Sequence, residues 1–104
     1  MDQFIIHPGE ILREEYLRPL ELSVYRLAKE TGLPQSRLGE IINGRRRITA
    51  DTALGLAKYF KTTVKFWLNL QTEYDLRTSA AAAGIELSSL PDYQSRFQPP
   101  APIS

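Results

Sequence analysis

"SVYRLAKETGLPQSRLGEIING", residues 23–44, holds two short helical patterns separated by a turn. In the first, Val24, Leu27, Ala28 and Thr31 recur at helical spacing, with Ser23 placed as N-cap and Gly32 as left-handed C-cap. In the second, Pro34 stands near the helix start, Leu38, Ile41 and Ile42 share a face, and Gly44 supplies the stop. The link is "TGLP", a tight turn with glycine at its first loop position. Two helices joined in this way form a helix-turn-helix layout.

The informative surface is what the second helix leaves outside. At about 100° per residue its three apolar side chains fall within about 100° of one another. Ser36, Glu40 and Asn43 then point roughly opposite, flanked by Gln35, Arg37 and Gly39. This face is short, polar and rich in hydrogen-bonding groups. Such a helix fits a major groove about 12 Å wide and can present Gln, Ser and Arg to base edges. Gln35, Ser36, Arg37, Glu40 and Asn43 are therefore the expected base readers.

"NGRRRIT", residues 43–49, leads Arg45, Arg46 and Arg47 out beside that helix. Thr49 opens the next helix, whose free N–H groups make a place for an anion. Ser23 offers the same on the opposite flank. Ser23, Arg45, Arg46, Arg47 and Thr49 are the expected contacts to a DNA backbone, which position the protein rather than read sequence. An arginine run by itself is commonly a solvated turn. The conjunction of tight turn, polar outward face, basic exit loop and capped next helix is what points to DNA.

Working outward, "HPGEILREEYLRP" reads as a helix with Pro8 at its first turn that ends before Pro19. "TADTALGLAKYF" begins at Thr49 and turns Ala53, Leu56, Ala57 and Phe60 inward. "TVKFWLNLQTEYDLR" begins at Thr63. The expectation is an all-α, compact five-helix domain over residues 1–78, with the helix-turn-helix at about 23–44 and a candidate dimer helix at 63–77. "TSAAAAG" can extend the fifth helix. Residues 79–104 hold four of the seven prolines and are expected to form a mobile C-terminal tail.

The fifth helix is apolar around an unusually wide arc. With Trp67 at 0°, Phe66, Leu70 and Tyr74 lie at about 260°, 300° and 340°, and Val64 and Leu68 at about 60° and 100°. That arc of about 200° exceeds the roughly 100° that packing on one core requires. Part of it, through Phe66, Trp67, Leu70 and Tyr74, is expected to meet a second copy of the chain. The alternative is a helix buried on most sides.

Composition narrows the function classes. The chain has 104 residues, 42% hydrophobic and 24% charged, as expected of one globular domain. Its net charge of +1 hides an asymmetry. Residues 1–22 carry two basic and five acidic groups, residues 23–61 eight basic and three acidic, and residues 62–104 three basic and four acidic. Only the middle of the chain is suited to a polyanion. Without cysteine there is no disulfide, thiol chemistry or cysteine-ligated zinc, and a single histidine, His7, leaves too few ligands for a transition metal. His7 is expected to cap or precede the first helix. Glu14 and Glu15 point about 100° apart and make no catalytic pair. There is no phosphate loop, nucleophile–base set or cofactor fingerprint, so neither enzyme activity nor a cofactor is expected. "MDQFIIHPGE" lacks the basic n-region of a signal peptide, and no stretch nears the roughly 20 apolar residues of a membrane span. A cytoplasmic setting is expected.

"LAKETGLPQSRLGEIINGRRRITADTALGLAKYFKTTVKFWLNLQTEYDLR" resembles the lambda-repressor-like helix-turn-helix proteins and, within them, the HigA-type antitoxins of toxin–antitoxin modules. Three blocks carry the narrower likeness: "HPGEIL" before the motif, "INGRRRIT" after it and "FWLNLQ" in the fifth helix. It spans about residues 7–77. The resemblance implies a homodimer on a palindromic operator, often its own promoter, paired with a RelE-like ribonuclease toxin. It also implies that Gln35, Ser36 and Arg37 face the groove, with Arg45, Arg46, Arg47 and Thr49 at or near the backbone. Glu40 is a departure, since a carboxylate there repels phosphate unless it accepts from a cytosine amine or orients an arginine. The acidic first segment and the acidic-leaning C-terminal part are the surfaces expected to face a basic toxin. A stand-alone regulator without a toxin, or a module that binds only proteins, are the competing readings.

Overall fold

Leu12, Leu27, Leu38, Ile41, Ile48, Leu56 and Trp67 are all sealed from solvent, and they come from five helices and one loop. The structure is a computed structural model and describes residues 5–89. Helix α1 opens over Pro8–Ile11 and runs on as a π-helical segment, Leu12–Leu17. It is followed by α2 (Val24–Thr31), α3 (Gln35–Ile42), α4 (Ala50–Phe60) and α5 (Val64–Ala83), then a short 3₁₀ turn, Leu87–Ser89. Among the described residues there is no strand, and no helix is long and apolar enough to cross a membrane.

Each boundary has a local cause. His7 Nδ1 accepts the Gly9 N–H at 2.9 Å, capping α1 ahead of Pro8. Gly9 packs so closely on α3 that an added Cβ would stand 1.7 Å from the Ile41 carbonyl oxygen. The wider i→i+5 turns, such as Arg18 N–H to the Arg13 carbonyl at 2.9 Å, bring Leu12 and Leu17 both into the core. The segment closes with Glu21 in the left-handed region at φ 52°, while the Leu22 N–H returns to the Leu17 carbonyl. Ser23 Oγ caps α2 by accepting the Arg26 N–H, and Gly32 ends it at φ 81°. Thr63 Oγ1 caps α5 in the same way through the Phe66 N–H.

Two expectations change. The boundary placed at residue 78 falls inside α5, which continues through the alanine run to Ala83 and stops at Gly84, φ 72°. Alanine is the strongest helix former, Ala80 is buried, and Leu87 beyond the stop is buried as well. The expected mobile tail lies largely outside the described residues, which end at 89. Trp67, placed with the dimer surface, is fully buried within this one chain. Its indole N–H donates to Thr62 Oγ1 at 2.7 Å, and its ring meets Tyr16, Phe60 and Phe66 at centroid distances of 5.0, 6.2 and 5.1 Å. The arc is wide because α5 is covered from several sides: Val64, Phe66, Leu68 and Leu70 are half-buried against the same core.

Candidate DNA-binding interface

Helices α2 and α3 are joined by three residues. Thr31 Oγ1 donates to the Leu27 carbonyl and accepts the Leu33 N–H, which pins the chain as it leaves α2. Leu33 packs over Gly55 of α4. Leu38 and Ile41 anchor α3 to the core, so Gln35, Ser36, Glu40 and Asn43 stand exposed together. Gly44 at φ 76° turns the chain away, closed by Arg45 N–H to the Glu40 carbonyl at 2.8 Å. Ile48 then dips into the core, leaving Arg45, Arg46 and Arg47 on an exposed loop between two fixed points.

The charged side chains are more engaged than their spacing suggests. Glu40 Oε1 accepts from Arg46 Nε at 2.7 Å, so the carboxylate on the outward face orients an arginine. Arg37, partly buried, reaches back to α4 and donates to Asp51 Oδ2 at 2.7 Å. Arg47 donates to Asp75 of α5 at 2.8 Å. Among the described residues Arg45 is without an ion-pair partner.

The N-terminus of α4 is only partly open to an anion. Thr49 has the extended backbone of an N-cap, but its hydroxyl makes no capping bond. Asp51 Oδ1 takes that role, accepting the Thr52 N–H at 2.9 Å and the Thr49 hydroxyl at 2.5 Å. The Thr49 hydroxyl and then Arg37 hold the Asp51 carboxyl below its ordinary value. At Ser23 the cap bond uses an oxygen lone pair, which leaves the hydroxyl proton for an acceptor outside.

Asp51, Gln71 and Asp75 take part in this corner although none was assigned a role from the sequence, Gln71 only closing the "FWLNLQ" block. The sequence does carry a signal for the last two. At about 100° per residue they fall at about 40° and 80° from Trp67, polar residues inside an apolar arc. Among the described residues no cluster of His, Cys, Asp and Glu could hold a metal.

A connected α2–turn–α3 unit with an exposed polar second helix and a basic exit loop defines a helix-turn-helix regulator, a DNA-binding class. The helix-turn-helix family model matches residues 12–67, more than half of the chain, and the chain belongs to that family. Its relatives narrow the class to proteins of the HigA antitoxin type. It is 43% identical to the antitoxin HigA of Pseudomonas aeruginosa, solved with the higBA promoter, at TM-score 0.75 over 78% of this chain and 88% of that one. It is 42% identical to an addiction module antidote protein of the HigA family from Coxiella burnetii, at TM-score 0.75 over 95% and 100% of the two chains. Virulence-associated protein I of Dichelobacter nodosus is 57% identical over 72 residues, 69% of this chain and 67% of that protein. The chain thus spans about two thirds of the length of this relative.

Proposed function

We propose that the chain is a sequence-specific transcriptional repressor and the antitoxin of a toxin–antitoxin module, working in the cytoplasm. On this reading it binds a palindromic operator as a homodimer, represses its own operon and neutralises a RelE-like ribonuclease toxin. The observation that carries DNA recognition is the exposed α3 face, Gln35, Ser36 and Asn43, lying between the arginine loop and the rest of the motif. Support for the antitoxin role comes from the HigA proteins it is similar to, one of them solved with promoter DNA. The half-buried Phe66, Leu70 and Tyr74 of α5 are the proposed dimer contacts.

The test is fluorescence anisotropy with a duplex from the region upstream of its own gene and a shuffled duplex, across about 50–200 mM salt. A clear preference with a steep salt slope is expected. Equal, weak binding to both duplexes would remove the repressor reading. Co-purification with the product of the adjacent reading frame tests the toxin partner, and a gene with no small basic neighbour would favour a stand-alone regulator.

A further inference from the structure

Helix α5 carries two polar side chains on the stripe that otherwise faces the core. Gln71 is only 3% exposed. A buried amide is unfavourable unless its hydrogen bonds are made, and both ends of this one are made. Oε1 accepts the Ile48 N–H at 2.7 Å, and Nε2 donates to Asp75 Oδ1 at 3.0 Å. Asp75 receives Arg47 in turn, with Nη2 to Oδ2 at 2.8 Å and a longer Nη1 to Oδ1 at 3.5 Å. Two neighbouring loop residues, Arg47 and Ile48, are thereby tied to consecutive turns of α5. Burial works against the Asp75 charge, but the bonds from Arg47 and Gln71 outweigh it and hold the carboxyl below its ordinary value.

We propose that Gln71 and Asp75 are positioning residues that hold the arginine loop in the conformation in which it meets the DNA backbone. The inference rests on the DNA-binding reading above. A free arginine loses rotamer freedom when it engages a phosphate, and one already held by a carboxylate loses less. Simple electrostatics predicts the opposite consequence, because removing an acidic group beside DNA should strengthen binding.

Asp75→Asn separates the two. It keeps an oxygen for Gln71 and drops the charge that holds Arg47. The full-length chain is titrated with a mixed-sequence duplex of roughly 30 bp at about 50 mM salt, since backbone contacts need no matched sequence. Asp75→Asn is expected to weaken binding about three- to tenfold, and to change it less than about twofold in an Arg47→Ala background. Equal or tighter binding by Asp75→Asn, or the same loss without Arg47, would overturn the proposal. For Gln71 the readout is amide exchange in the free protein: Ile48 should exchange faster in Gln71→Met while the α2 amides stay protected. Unchanged protection at Ile48 would remove Gln71 from the role. Wild type that binds its own upstream duplex no better than the mixed one removes the operator reading but leaves this test intact. Failure to bind either duplex removes both.

Discussion

Arginines of α3 and the exit loop are shared with carboxylates of the same chain: Arg46 with Glu40, Arg37 with Asp51 and Arg47 with Asp75. Exposed pairs of this kind contribute little to stability, so their weight falls on direction and on net charge. Arg46→Ala is expected to weaken all duplexes alike and to shallow the salt slope by about one unit. Ser36→Ala or Gln35→Ala should instead relax preference at particular base pairs, by about 1–3 kcal/mol for a lost bidentate contact. Anisotropy with single-base operator variants separates the patterns, and the reverse outcome would exchange the two roles. His7 makes a different prediction. Burial lowers it below its ordinary 6.5, with Asp75 pulling the other way. The folded chain keeps His7 neutral where the unfolded chain would protonate it. Its contribution is therefore complete above about pH 6.5 and is lost as pH falls from there toward the lower folded value. Protonation of Nδ1 would also deprive the Gly9 N–H of its acceptor. Tm should drop between about pH 7.5 and 5.5, and less so in His7→Asn, which retains a capping acceptor that does not titrate. Identical profiles for the two proteins would place the pH dependence elsewhere.

Helix α1 meets α3 at a backbone-to-backbone contact, and only glycine permits it. A Cβ on residue 9 would collide with the Ile41 carbonyl, a group that cannot move without displacing α3. Gly9→Ala is expected to destabilise the fold by about 3 kcal/mol, at or above the usual cost of overpacking. Chemical denaturation measures it directly, and a loss under about 1 kcal/mol would mean that α1 can shift away. At the α4–α5 corner Lys61 occupies the left-handed region at φ 59°, with its N–H on the Ala57 carbonyl. A side chain costs about 1–2 kcal/mol in that conformation, and glycine returns some of this as unfolded-state entropy. Lys61→Gly should therefore raise stability by about 0.5–1 kcal/mol. A fall in Tm would show that the Lys61 side chain contributes packing that outweighs the strain.

Across the whole molecule, Trp67 is where α1, α4 and α5 converge, through Tyr16, Phe60 and Phe66. Trp67→Ala should cost about 3–5 kcal/mol of stability, the range for emptying a buried aromatic site. A milder loss would show that the aromatic cluster collapses into the gap. Oligomeric state belongs to the same level. If α5 joins two copies through Phe66, Leu70 and Tyr74, Tm should rise with protein concentration and Leu70→Glu should abolish the rise. Sedimentation equilibrium that finds a monomer at all concentrations would exclude this interface.

Helical spacing, caps and stops were written locally, which is why Ser23, Gly32, Gly44 and Thr63 could be read in place and the helix-turn-helix found between them. The exposed face of α3 was legible for the same reason: once Leu38 and Ile41 are buried and Ile42 packs partly buried against the same core, the remaining side chains have one direction left. The pairing of charges was not legible. Arg47 and Asp75 are 28 residues apart, and Arg37 and Asp51 are 14 apart, so only the packing of α3, α4 and α5 brings them together. Trp67 was misplaced because a wide apolar arc looks the same whether a second chain or the same chain covers it. Gly9 carried no local mark of its role, since what forbids a side chain there is a carbonyl 32 residues further along. Local rules determine which residues become helices and which face is polar. Contacts between distant residues decide which of those polar groups are already held, and in which direction they point.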